Sequence, residues 1–229
     1  MEPLKYTLQR SKRRTVAVCI KDGEVLVKAP LKTPLAVVEN FLSQKAAWIA
    51  KKTVLSRARL EQYAELLDCR AFLFLGKPLP FAITPRKKPA IQDGVLLLPE
   101  GCAENGIPQR SDELIRGLRR AYKRVAAPLL EGRVQMIAHT IGLKYSAFAL
   151  SDAKTKWGSC DGKNAIRLNW RLILLNEALV DYVIVHELAH TVEHNHSKAF
   201  WVVVGKYYPK YKEAVRWLKE CGVLCEVYA

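Results

Sequence analysis

The sequence is short of what a membrane, an export route or a disulfide scaffold would require. In 229 residues no apolar run approaches the roughly 18 needed for a membrane-crossing helix. The opening MEPLKYTLQRSKRR lacks the apolar centre of a secretory signal. No CxxC pair occurs among the six cysteines (Cys19, Cys69, Cys102, Cys160, Cys221 and Cys225). Without an export signal these read as reduced thiols rather than a disulfide framework. The expectation is a soluble, cytoplasmic protein with no membrane partner. Acidic residues are also scarce, with 22 Asp and Glu against 37 Lys and Arg, for a formal charge of +15. Yet no long basic block, zinc finger, RRM or GXXG signature accompanies that excess, and short clusters such as Lys12-Arg13-Arg14 and Arg86-Lys87-Lys88 are scattered along the chain. A solvated surface and a footprint for nucleic acid or another polyanion both remain open.

The composition is otherwise that of a folded protein, half hydrophobic and 26% charged, long enough to bury a core unaided. Two alternating runs, Arg14–Ile20 and Val25–Ala29, flank Asp22-Gly23 and predict a hairpin. Pro34 opens a helical pattern (Val38, Phe41, Leu42, Trp48, Ile49) extending to about Leu66. Residues 71–98 return to strand chemistry, and Pro99–Gln109 reads as a loop or boundary. Ser111 is placed to cap a helix from Asp112 to about His139, with Pro128 expected to kink or divide it. Short extended runs follow at 145–150, 156–159 and 165–169, then helices from about Glu177. The fold class expected is α+β: a mainly β N-terminal region with one long helix, residues 1–105, before a helical half with a small sheet, residues 106–229.

Four of the five histidines fall in HELAHTVEHNH, residues 186–196. On a helix, His186 and His190 project from one face about a turn apart, close enough to share a metal ion. Glu187 lies roughly 100° around the axis, beside that face, where a carboxylate can reach a metal-held water without displacing it. Three protein ligands plus water is the open tetrahedron of a catalytic zinc site. The surrounding ALVDYVIVHELAH is apolar almost all round, the mark of a buried helix. Burying two imidazoles and a carboxylate there would cost several kcal/mol unless a metal compensates.

The third ligand is His194 or His196. Residues 186, 190 and 194 on one unbroken helix would form a row whose ends are about 12 Å apart at the backbone, too far to converge on one ion. His196 requires the chain to bend back, with Asn195 in the left-handed conformation and Ser197 capping a new helix, SKAFWVVVGKYY. Nearby, Trp157-Gly158-Ser159-Cys160 is either the edge of a substrate cleft or a core Trp in a tight turn. Nothing local lowers the Cys160 pKa, so a thiolate nucleophile is not expected. Asn169 and Asp181 are candidates for orienting the histidines, and Tyr182, Tyr207 and Tyr208 for an oxyanion donor.

WGSC at 157–160, IRLNWRLILL at 166–175, DYVIVHELAH at 181–190 and NHSKAFW at 195–201 resemble the YgjP-like family of bacterial metal-dependent hydrolases, related to the SprT and WLM zinc proteases. RRTVAVCI, GEVLVKAP and FLSQKAAWIAKK resemble that family's leading region, so the resemblance spans nearly the whole chain. It implies a zincin-like catalytic half, one Zn²⁺ per chain on His186, His190 and His196, and Glu187 as general base. The metzincin pattern does not fit, because Glu193 stands where its glycine would be. The activity expected is a zinc metallopeptidase acting on a peptide or protein, with Trp157, Gly158, Ser159 and Cys160 at the substrate. Two alternatives keep the same site: hydrolysis of a nucleotide or other phosphate, and an SprT-like protease working on nucleic acid. Residues 1–98 contain no histidine and are expected to supply scaffold or substrate contacts.

Overall fold

The computed structural model describes residues 4–21 and 23–228. They form two compact units, 1–64 and 65–229. In the first, strands β1 (Thr7–Ser11), β2 (Ala17–Lys21) and β3 (Glu24–Pro30) form a sheet of order β1-β3-β2. The hairpin expected around Gly23 is there, with Lys21 paired to Glu24, although Asp22 lies outside the described residues. Gly23 has φ +75°, and a Cβ there would strike the Arg57 side chain at 2.6 Å. Strand β1 adds in parallel beside β3, a pairing no local pattern announces. Alternation along β3 turns Val25, Val27 and Ala29 inward against Val38, Leu42 and Ile49. The single long helix expected here is three: α1 (Leu35–Gln44), α2 (Ala46–Gln62) and the short α3 (Ala64–Leu67). The breaks fall at Lys45 and Tyr63, whose backbones leave helical geometry while their amides still bond back to the preceding turn.

The second unit, 65–229, opens with short strands. Strands β4 (Leu73–Phe74) and β5 (Lys77–Pro78) pair with each other, and β6 (Phe81–Thr84), β7 (Ala90–Gln92) and β8 (Val95–Pro99) form a sheet of order β6-β8-β7. Strands β9 (Ala103–Glu104) and β10 (Ile107–Pro108) make a small ribbon in the stretch read as loop. The segment joining β4 to β5 is tied to the C-terminal half of the chain. The Leu75 amide donates to the Ile173 carbonyl, and Gly76, at φ +75°, lies so close to Asn176 that a Cβ would meet its backbone at 2.8 Å.

Helix α4 (Asp112–Ile141) is capped by Ser111, whose hydroxyl accepts from the Leu114 amide, and ends at left-handed Gly142. Pro128 does not divide it; the helix is continuous over 30 residues. Leu114, Leu118, Tyr122, Ala126, Leu130 and Val134 give it a buried stripe. Strands β11 (Ala147–Ser151), β12 (Gly158–Cys160) and β13 (Ala165–Asn169) make a sheet of order β11-β13-β12, leaving β12 at the edge. A 3-10 turn over Trp170–Leu174 leads to α5 (Glu177–Ala189), which Asn176 caps by accepting from the Leu179 amide. Helices α6 (Lys198–Tyr207) and α7 (Tyr211–Glu220) complete the set. The class is α+β, as expected.

Asp152 anchors this unit. Its carboxylate accepts from Lys123 Nζ at 2.7 Å, Trp170 Nε1 at 2.9 Å, Arg171 Nη1 at 2.7 Å and Arg119. Burial alone would raise its pKa, but the bonds from Lys123, Trp170, Arg119 and Arg171 outweigh that and hold it well below the usual carboxylate range. Arg171 is wholly buried, and its Nε donates to the Val227 carbonyl. No helix among the described residues is long and apolar enough to cross a membrane.

Candidate metal centre

Helix α5 is buried on nearly all sides, as its composition requires, and its last turn presents His186 and Glu187, with His190 at the cap. The chain then reverses. The amides of Thr191, Val192 and Glu193 close turns onto Leu188 and Ala189, and the Ser197 amide bonds the Asn195 carbonyl at 2.7 Å. Asn195 is not left-handed as expected, because the reversal is distributed over successive turns and needs no single strained residue. Ser197 does cap α6, accepting from the Phe200 amide at 3.3 Å.

The reversal brings His196 back over α5. Ligating atoms of His186, His190 and His196 all lie within 4.8 Å of one another, and Nε2 of His196 is 3.1 Å from Nε2 of His186. His194 is not part of this group. Phe200, fully buried, props all three rings: it stacks on His190 at 4.4 Å between centroids and lies 4.9 Å from His186 and 4.7 Å from His196. Burial, then the crowding of His190 and His196, pushes the His186 pKa down to about 3, keeping a lone pair free. The outer nitrogens are engaged: His186 Nδ1 lies 3.3 Å from the Tyr182 hydroxyl and His190 Nδ1 is 3.1 Å from the Glu193 carbonyl. Such contacts fix a tautomer with Nε2 turned inward.

Glu187 is 5% exposed, and among the described residues nothing donates a hydrogen bond to its carboxylate. Burial raises its pKa to about 8, against a smaller lowering by Lys156. It rests on β12: a Cβ on Gly158 would lie 2.5 Å from Glu187 Oε1 and 2.7 Å from its Cγ. A buried acceptor without a protein donor, beside three converging imidazoles, suits a hard or borderline cation that keeps one water.

A family model described as "YgjP-like, metallopeptidase domain" matches residues 14–221. The chain belongs to the YgjP-like family. It is accordingly a metallohydrolase of the metallopeptidase class, for which a peptide or protein is the substrate and a catalytic metal is required. The match lends no support to a nucleotide or nucleic-acid partner. No curated protein matches the chain. Two solved structures are similar over 40% of it, each with a TM-score of 0.36. They are the metallopeptidase zymogens abylysin of Pyrococcus abyssi, 24% identical with 93% of that chain covered, and jannalysin of Methanocaldococcus jannaschii, 22% identical with 94% covered.

The remaining expected site residues of this YgjP-like protein separate. Trp157 lines a cleft of about 460 Å³ together with His186, His196 and Tyr182. Gly158 lies under Glu187, whereas Ser159 and Cys160 do not line the cleft. Burial, aided by the charges of Glu187 and Asp161, pushes the Cys160 thiol up to about 11, the opposite of an activated nucleophile. Asn169 and Asp181 do not orient histidines. The Asn169 amide donates to the Ala153 and Lys156 carbonyls, and Asp181 is held by Arg133 at 2.6 and 2.7 Å. That role belongs to Tyr182, placed four residues before His186 on one helix face, a spacing visible in the sequence. Tyr208 is committed elsewhere, its hydroxyl donating to the Ala178 carbonyl.

Proposed function

We propose that this protein is a zinc peptidase, with one Zn²⁺ held by His186, His190 and His196 and with Glu187 as the general base. The observation that carries this is the convergence of three imidazoles beside a buried, undonated carboxylate on the floor made by Gly158. Zinc in such a site supplies Lewis acidity for the scissile carbonyl and a water whose pKa falls toward about 7. Glu187, buried beside the three histidines, is placed to take a proton from the attacking water and return it to the leaving amine. Tyr182 and the Glu193 carbonyl hold His186 and His190 in the orientation that binding requires. Edge strand β12 has one side unpaired by any described strand, so an extended peptide has backbone groups to add to beside Glu187. Every one of these groups falls within residues 106–229, the region we assign to catalysis, leaving residues 1–105 as scaffold.

Elemental analysis of purified protein and a hydrolysis screen test the reading. Zinc at one per chain with cleavage of unstructured peptides is expected. Glu187→Gln should keep the metal and lose about 10²-fold or more in turnover; full activity in that variant would refute the assignment.

A further inference from the structure

The cleft beside the histidines is chemically one-sided. Its walls are apolar and broad: Trp157 precedes β12, Trp201 comes from α6, and Val215 and Leu218 come from α7. Trp201 is held in place by stacking on Tyr211, with ring centroids 5.2 Å apart and planes 21° from parallel. Two charged residues line the cleft, Lys154 and Lys219, and no Asp or Glu does. Both ammonium groups are exposed, and neither forms an ion pair or hydrogen bond with the described residues. Elsewhere in the same unit, cations near the core are engaged: Arg119, Lys123 and Arg171 by Asp152, and Arg133 by Asp181. The two lysines are thus the charged side of an otherwise apolar, aromatic cleft.

An apolar wall of this kind favours a bulky side chain, because aromatic and aliphatic surfaces leave water together. An unpaired ammonium beside it attracts a carboxylate and repels another cation. We propose that the cleft selects peptides in which a bulky apolar residue next to the scissile bond is accompanied by Asp or Glu, with Lys154 and Lys219 pairing with the acidic side chains. The proposal rests on the peptidase reading above and adds the substrate class to it. Since both lysines are solvated, each contributes modestly, and the pair together sets a preference of about tenfold.

Binding is measured separately from turnover to test this. Zinc-loaded Glu187→Gln protein is titrated with fluorescent peptides that share a central Phe and differ only in flanking Glu, Gln or Lys, and with a matched set whose Phe is Ala. The Glu-flanked Phe peptide is expected to bind about tenfold tighter than its Lys counterpart and tighter than its Ala counterpart. That preference should shrink as salt rises. In Lys154→Glu/Lys219→Glu it should reverse, and in Lys154→Gln/Lys219→Gln it should vanish, with circular dichroism and zinc content unchanged. Equal affinity for Glu- and Lys-flanked peptides overturns the proposal. So does a preference that survives both double substitutions, or stronger displacement by an oligonucleotide of equal charge than by the acidic peptide. Wild-type turnover on the same peptides separates the two levels. Selective binding without cleavage of any peptide upholds the selectivity and removes the peptidase reading; cleavage with no flank preference does the opposite.

Discussion

Gly158 and Glu187 are in contact so close that no side chain fits between them: a Cβ on Gly158 would sit 2.5 Å from the carboxylate Oε1. The two belong to different elements, an edge strand and the central helix of the catalytic unit. The glycine therefore sets how near Glu187, the general base we propose, approaches the strand, and with it the position of that carboxylate beside the histidines.

Gly158→Ala is the direct test of that contact. The added methyl requires Glu187 to shift, while the backbone at 158, not being left-handed, accepts alanine without strain. Metal content should stay near wild type and turnover should drop about 10²-fold, the effect of displacing a catalytic group by about an ångström. Peptide hydrolysis measured beside zinc stoichiometry checks this; unchanged turnover would show that the close approach does not matter.

The ligand assignment separates two neighbouring histidines. His196→Ala should lose most zinc affinity and activity, whereas His194→Ala should keep the metal, because only His196 is carried back over α5 by the turn. Competition titration with a chelator gives both affinities. Retention in the first variant and loss in the second would reverse the assignment.

Tyr182→Phe removes the hydroxyl 3.3 Å from His186 Nδ1 and little else from the core. Loss of such an orienting contact typically costs 10- to 100-fold in metal affinity. Zinc affinity should therefore fall by about tenfold or more at unchanged thermal stability of the metal-loaded protein in excess zinc.

Asp152→Asn addresses stability rather than chemistry. Arg171 is wholly buried, so losing the charge opposite it leaves an uncompensated cation at a cost of about 3–5 kcal/mol. The pH dependence comes from the lowered carboxyl. Its stabilisation is complete above the unfolded value of about 3.9 and fades as pH falls toward the depressed folded one. Denaturant unfolding from pH 7 down to pH 3 should show wild type losing stability on acidification below about pH 4, and the variant starting lower with that part of the slope missing.

What the sequence determined by itself was local. The spacing of His186 and His190 puts both rings on one face wherever that helix sits, and Ser111 and Ser197 are each followed three residues on by the amide they accept from. The apolar ALVDYVIVHELAH announced a buried helix because burial leaves its mark on composition. Residue spacing on a helix also excluded a His186–His190–His194 row, which is why His196 was legible without the fold. Other features depended on which distant segments meet. Parallel pairings such as β1 with β3 and β11 with β13 join strands with other structure between them, and no turn residue records them. Asp152 looked like any surface carboxylate until folding set Arg119, Lys123, Trp170 and Arg171 around it. Asp181, read as a partner for the histidines, is claimed instead by Arg133 from α4. Gly158 is the sharpest case. A glycine in WGSC suits a turn equally well, and only the packing of β12 on α5 shows that it is small because Glu187 needs the space. Side-chain periodicity is a property of one segment, whereas steric exclusion is a property of two, and the second exists only once the chain has folded.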